Sequence, residues 1–135
     1  MKRDDLMEQV NLWINKAEGD IKLIEKTMND DDSPFDLLCF HAQQAVEKYL
    51  KAYLVFKQVS FEKTHNLNYL LCLCIKENNK FLQIADVPEK LEDYAVIVRY
   101  PTGIFEEFNS GDVKEAYDLA LKVKDIVINL ISYHK

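Results

Sequence analysis

The chain has 135 residues and a mass of 15.8 kDa, enough for one ordinary domain and too little for two, so residues 1–135 are read as a single core. With 48% hydrophobic and 30% charged residues it can bury a core and still cover itself with polar surface, which excludes a disordered chain. The formal charge of −6 excludes a general basic field that would coat polyanions.

Three glycines and three prolines are too few for a sandwich or barrel, which needs a turn signal every ~8–12 residues. Long helices remain. No apolar run approaches the ~20 residues that span a bilayer, and Met1-Lys2-Arg3-Asp4-Asp5 turns acidic at once, so a cytoplasmic protein without membrane contact is expected. Cys39, Cys72 and Cys74 lack the Cys-x-x-Cys spacing of zinc or redox sites and are read as buried thiols.

From Asp4 to about Asn29, the residues Leu6, Val10, Trp13, Ala17, Ile21, Ile24 and Met28 recur in steps of three and four, which is one stripe of a first helix. Asn29-Asp30-Asp31-Asp32 marks the turn. Ser33 as cap, Pro34 as first helical residue and Asp36 three positions after Ser33 then predict a second helix from Pro34 to about Lys57. Its apolar side is wide, from Phe35 and Leu38 through Ala42, Ala45 and Tyr49 to Ala52 and Phe56.

Thr64 is the expected cap of a short third helix carrying Leu67, Leu70, Leu71 and Cys74, which ends near Lys76-Glu77-Asn78-Asn79. Asp86, Pro88 and Glu89 open a fourth, with Leu91, Tyr94, Ala95 and Val98 as its stripe and Pro101 and Gly103 closing it. The last helix has Asp112 and Glu115 in capping-box spacing, followed by Val113, Ala116, Ala120, Val123, Val127 and Leu130. About five helices with short links predict an all-α, antiparallel up-and-down bundle.

Little in the chain points to standard catalytic chemistry. There is no Gly-rich loop to cradle a phosphate and no nucleophile elbow. The paired Glu-x-x-His motifs of di-iron bundles are missing, so neither a metal nor another cofactor is expected. Two features stand out. On the second helix His41, Gln44, Lys48 and Lys51 follow one another in steps of three, four and three and share a polar stripe, with Gln43 and Glu47 beside it. They are candidate ligand-binding residues; the plainer reading is a solvated face with a Glu47–Lys51 ion pair. Arg99, one of two arginines, ends a strongly apolar helix and offers the planar fork that grips a carboxylate or phosphate. Its plainer reading is a cation bonding the last carbonyls of its own helix or pairing with a neighbouring carboxylate.

The run Phe40-His41-Ala42-Gln43-Gln44-Ala45-Val46-Glu47-Lys48-Tyr49-Leu50-Lys51-Ala52, then Thr64-His65-Asn66-Leu67, then Tyr94 and Arg99-Tyr100-Pro101, resembles the HEPN domain family. Trp13, Ala17 and Asp20 resemble its opening helix, so the likeness covers nearly the whole chain. The resemblance implies a helical bundle, frequently a homodimer, encoded beside a small nucleotidyltransferase partner in toxin–antitoxin or defence pairs. It also implies binding of a nucleotide. In many members it implies metal-independent cleavage of RNA by an Arg followed by four to six residues and then a His that assists proton transfer.

This chain departs from that motif, because Arg99 is followed by Tyr100, Pro101, Thr102, Gly103, Ile104, Phe105 and Glu106. The leading expectation is therefore a non-catalytic HEPN module that binds a nucleotidyltransferase and a nucleotide or other phosphate through Arg99 and the helix-two stripe. Two alternatives stand beside it. One is a ribonuclease toxin using Arg99 with Glu106 or Glu107 as base; the other is a purely structural dimerisation domain in which Arg99 and Glu47 hold helices together. His65 is assigned a structural role, a ring nitrogen fixing the start of the third helix. Tyr94, Tyr100 and Pro101 are family-motif positions.

Overall fold

The protein is described by a computed structural model over residues 2–99 and 108–133. Among these residues there are five α-helices and one 3-10 segment and no strand. The helices are α1 (Arg3–Thr27), α2 (Phe35–Phe56), α3 (Leu67–Glu77), α4 (Val87–Arg99) and α5 (Ser110–Tyr133), with the 3-10 segment at Asn79–Ile84. No helix of the described residues is long and apolar enough to cross a membrane.

The helix α2 is the axis of the bundle, packed against each of the other four. Its wide apolar face dictates this, since a stripe broader than one neighbour can cover must be shared among several. Tyr49, Leu50, Tyr53 and Leu54 lie fully buried at its centre. From α1 come Val10, Ala17, Ile21 and Ile24, all buried at the helical spacing that defined its stripe. From α5 come Val113, Ala116, Ala120, Val123, Val127 and Leu130, again buried in the expected register.

Helix ends differ from the sequence reading in informative ways. Ser33 does not cap α2, which starts after Pro34 without a side-chain cap; its hydroxyl donates backward to the Thr27 carbonyl and closes α1 instead. Thr64 accepts from the Asn66 N–H at 3.0 Å, and the cap of α3 is Asn66, whose side chain accepts from the Tyr69 N–H at 3.1 Å. At α5 the reciprocal box is Asn109 with Asp112, each side chain accepting from the other's backbone N–H at 3.0 Å, three residues earlier than Asp112 with Glu115. In each case the residue that wins is an Asx or Ser placed so that its oxygen reaches an orphan backbone group of a helix end.

Two further differences concern burial. The 3-10 segment was not anticipated; Asn78 caps it, accepting from the Lys80 N–H at 2.9 Å, and Phe81 and Ile84 are buried. Its apolar positions are three apart, which a three-residue turn stacks on one side. Cys39 and Cys74 are buried, but Cys72 is exposed, because two residues along a helix turn it some 200° away from Cys74.

One turn prepares the candidate site. The helix α2 ends with the Val59 N–H on the Leu54 carbonyl and the Gln58 N–H on the Val55 carbonyl, both 2.9 Å. This is a Schellman closure with Gln58 at φ 57° in the position that favours glycine. It reverses the chain so that the segment before α3 runs back alongside α2.

A candidate site of two carboxylate-centred clusters on α2

Two buried carboxylates organise the polar stripe of α2. Asp20, on the buried side of α1, receives His41 Nδ1 at 2.9 Å and Lys48 Nζ at 2.7 Å. One turn further along, Glu47 receives Lys51 Nζ at 3.0 Å and His65 Nδ1 at 3.0 Å. The second histidine arrives from the segment that the Gln58 turn folds back. Each cluster is thus one acid with one lysine and one histidine.

The solvated-face reading of this stripe does not hold. Gln43, Glu47 and Lys51 retain 2%, 3% and 6% of their surface. A charge so enclosed must be paired and hydrogen-bonded, and here each one is. Lys51 also lies 5.3 Å from the centre of the Trp13 ring on α1, a cation–π contact that covers the ammonium from the other side. Gln44 donates from Nε2 to Gln43 Oε1 at 2.8 Å and sits half-buried beside them.

The two clusters differ in what they leave open. In the Asp20 cluster the acid side chain is 9% exposed, while those of His41 and Lys48 keep 31% and 22%. In the Glu47 cluster acid and lysine are enclosed and only His65 is well exposed, at 61%. An ionised carboxylate can only accept, so in both histidines Nδ1 carries the proton and Nε2 is the nitrogen left to act as base, acceptor or, in the imidazolium, donor.

A third buried polar group lies nearby on the same helix. The Tyr49 hydroxyl has no hydrogen-bond partner among the described residues. Burial, reinforced by the negative charges of Glu18, Asp20 and Glu25, holds the phenol well above its usual range. Where α1 meets α5, Tyr117 donates to Glu25 Oε2 at 2.5 Å, and this bond to a carboxylate pushes its phenol up to about 12.

The structure brings His41, Gln44, Glu47, Lys48, Lys51 and His65 to one side of α2, and it adds two residues that composition did not single out as site residues, Asp20 and Trp13. Asp20 had a signal in the sequence. It lies three residues after Ala17 and four before Ile24, both buried stripe positions, so it is a carboxylate set into a buried stripe. Such a residue has to find cations on the facing helix.

Arg99 closes α4, and its side chain is outside the description, as are Tyr100, Pro101, Glu106 and Glu107. Tyr94 is half-buried and meets Phe108 edge-on, ring centres 5.1 Å apart. Glu62 does stand three residues before His65, but in the extended segment ahead of α3, where its N–H donates to the Tyr69 hydroxyl at 3.0 Å. Among the described residues no three His, Cys, Asp or Glu side chains come together as a metal site.

Comparison with known proteins agrees with this architecture. The HEPN domain model matches residues 10–130. A protein of Methanocaldococcus jannaschii named "Putative toxin MJ1304" is 25% identical over 134 residues, covering 90% of this chain and 87% of its own. The crystal structure of ST0689, an archaeal HEPN homologue, superposes with a TM-score of 0.72 at 25% identity, covering 97% of this chain and 99% of that one.

Proposed function

The chain belongs to the HEPN family, and from that premise we propose that it is the binding module of a toxin–antitoxin or defence pair, taking a nucleotide phosphate at the Asp20 cluster and a nucleotidyltransferase as protein partner. The toxin setting is supported by the Methanocaldococcus jannaschii relative, which aligns along 90% of this chain. The observation that carries the ligand reading is the pair His41 and Lys48, fixed on a buried carboxylate yet open at 31% and 22%. Protonation of His41 gives that cluster a net positive charge, and its Nε2–H and the spare Lys48 N–H groups are donors suited to phosphate oxygens. Glu47 and Lys51 lie too deep to touch a ligand and serve as the floor of the site.

Binding rather than turnover is favoured by the sequence after Arg99. Four to six intervening residues would put the family's histidine at 104–106, where Ile104, Phe105 and Glu106 stand. The test is a thermal-shift titration with ATP, GTP, their monophosphates and a short RNA that is recovered afterwards. A ligand at about 100 times its Kd stabilises the native state by ~2.7 kcal/mol. The expected result is a shift for the wild type that His41→Ala and Lys48→Ala lose, with intact RNA, and co-purification of a nucleotidyltransferase from the native host. No shift with any nucleotide and no such partner would remove the proposal.

One observation favours a second reading, an RNA-cleaving toxin. His41 is oriented by Asp20 as a general base is oriented in a catalytic triad, with Lys48 beside it to neutralise phosphate. Metal-independent RNA cleavage by pure protein, unaffected by a chelator and absent from His41→Ala, would establish it over the first.

A further inference from the structure

Trp13 is half-buried on α1, with the Lys51 ammonium over its ring at 5.3 Å from the centre. It is the one tryptophan of the chain, and the phosphate reading of the Asp20 cluster makes no use of it. Trp13 meets Lys51, while Asp20 meets His41 and Lys48, so α1 and α2 run antiparallel and both α1 residues stand on the same seam. They are seven positions apart, two turns on one side of α1, which is about 10 Å along the axis at ~1.5 Å per residue.

The seam is basic on its open side. Its two acids, Asp20 and Glu47, are buried beneath it, each already held by a lysine and a histidine. Lys16 stands between Trp13 and Asp20, three residues after the ring and four before the carboxylate, exposed and without an ion pair among the described residues. Gln44 and Lys48, both half-buried, line the α2 side. A chain with a formal charge of −6 thus holds a local strip where an elongated anion finds cations at one end and an aromatic ring at the other.

We propose that the ligand of this site is a nucleoside di- or triphosphate laid along the α1–α2 seam, its terminal phosphate on His41 and Lys48, its inner phosphate beside Lys16 and its base stacked on Trp13. The inference rests on the phosphate reading of the Asp20 cluster and adds to it the ligand's length and direction. The length follows from the two turns between Asp20 and Trp13. A nucleoside monophosphate is too short to hold its phosphate at His41 and stack its base on Trp13, and one or two further phosphates cover the difference. The direction follows from the charges, because the reverse placement would set the terminal phosphate against an indole and the base against His41 and Lys48. Lys51 fixes the ring before the base arrives, so little freedom is lost on stacking. Every base has a π-face, so adenine and guanine are accepted alike.

The test is titration of the full chain with ATP, GTP, ADP, AMP and inorganic triphosphate, read by melting temperature and by the emission of its one tryptophan. ATP, GTP and ADP are expected to raise Tm and to quench Trp13 saturably over the same concentrations. AMP should bind roughly tenfold more weakly than ATP or worse, and triphosphate should raise Tm with little quenching. Trp13→Leu should weaken ATP about tenfold more than it weakens triphosphate, and Trp13→Phe, which keeps an aromatic face, should retain most of the affinity. Lys16→Ala should weaken ATP and triphosphate together. AMP binding as tightly as ATP, a Tm shift by ATP without quenching, or equal losses for ATP and triphosphate in Trp13→Leu would each overturn the proposal and leave the phosphate site standing. No shift with either ATP or triphosphate would remove the phosphate reading as well.

Discussion

Replacing Glu47 with Leu removes the acid on which a buried lysine and a histidine converge. The side chains of Glu47 and Lys51 are 4% and 7% exposed, so the variant leaves the Lys51 ammonium enclosed with no carboxylate. Breaking a buried pair from one side costs ~3–5 kcal/mol. The Trp13 ring, 5.3 Å from Lys51 Nζ, returns part of that, about 1 kcal/mol for a cation–π contact. A loss of about 3 kcal/mol is expected, which in a domain of this size lowers Tm by roughly 10 °C. Lys51→Met strands the carboxylate but should cost less than Glu47→Leu, because His65 still bonds it. The double variant is the decisive measurement. With both charges gone the pocket is apolar, and its stability should return to within about 1 kcal/mol of wild type or exceed it. Urea unfolding of the four proteins, analysed as a double-mutant cycle, gives the coupling directly. Additive losses, or a Glu47→Leu cost below about 1 kcal/mol, would refute the assignment of these residues as a mutually dependent buried pair.

Other consequences follow from the same structure. Tyr49→Phe removes a buried hydroxyl that has no partner among the described residues, so it should leave stability unchanged or raise it by about 1 kcal/mol in denaturant titration. Native protein at pH 8 should react with a thiol reagent at one site, Cys72, because burial pushes the Cys39 thiol up to about 12 and the Cys74 thiol higher still. A folded-state pKa raised above the unfolded value favours the native state at low pH, so stability should fall as pH rises above about 9, where unfolded thiols ionise. Asn66→Ala should cost about 1 kcal/mol as loss of a helix cap and Thr64→Ala clearly less, the order set by which side chain reaches the Tyr69 N–H. Gln58→Gly should stabilise by about 1 kcal/mol by relieving a left-handed residue, with φ at 57° now occupied by a side chain that has a Cβ.

The sequence by itself determined the helices and their buried sides. Steps of three and four on α1 and α5 name the residues that are in fact enclosed, Val10 to Ile24 and Val113 to Leu130, because helical periodicity is local and burial follows it. It determined helix ends less well. Ser33, Thr64 and Asp112 were each near a real cap, but which of several neighbouring oxygens reaches an orphan N–H depends on how the chain enters the helix. Only the tertiary structure decided the character of the α2 stripe. His41, Lys48 and Lys51 look the same in sequence whether water or another helix faces them, and it is α1, bringing Asp20 and Trp13 across, that turns a polar face into paired buried charges. The same holds for His65, which meets Glu47 from eighteen residues away only because the chain reverses at Gln58. A helix reports its own faces through its period; what stands opposite each face is a property of the packing, and that is where the chemistry of this site is set.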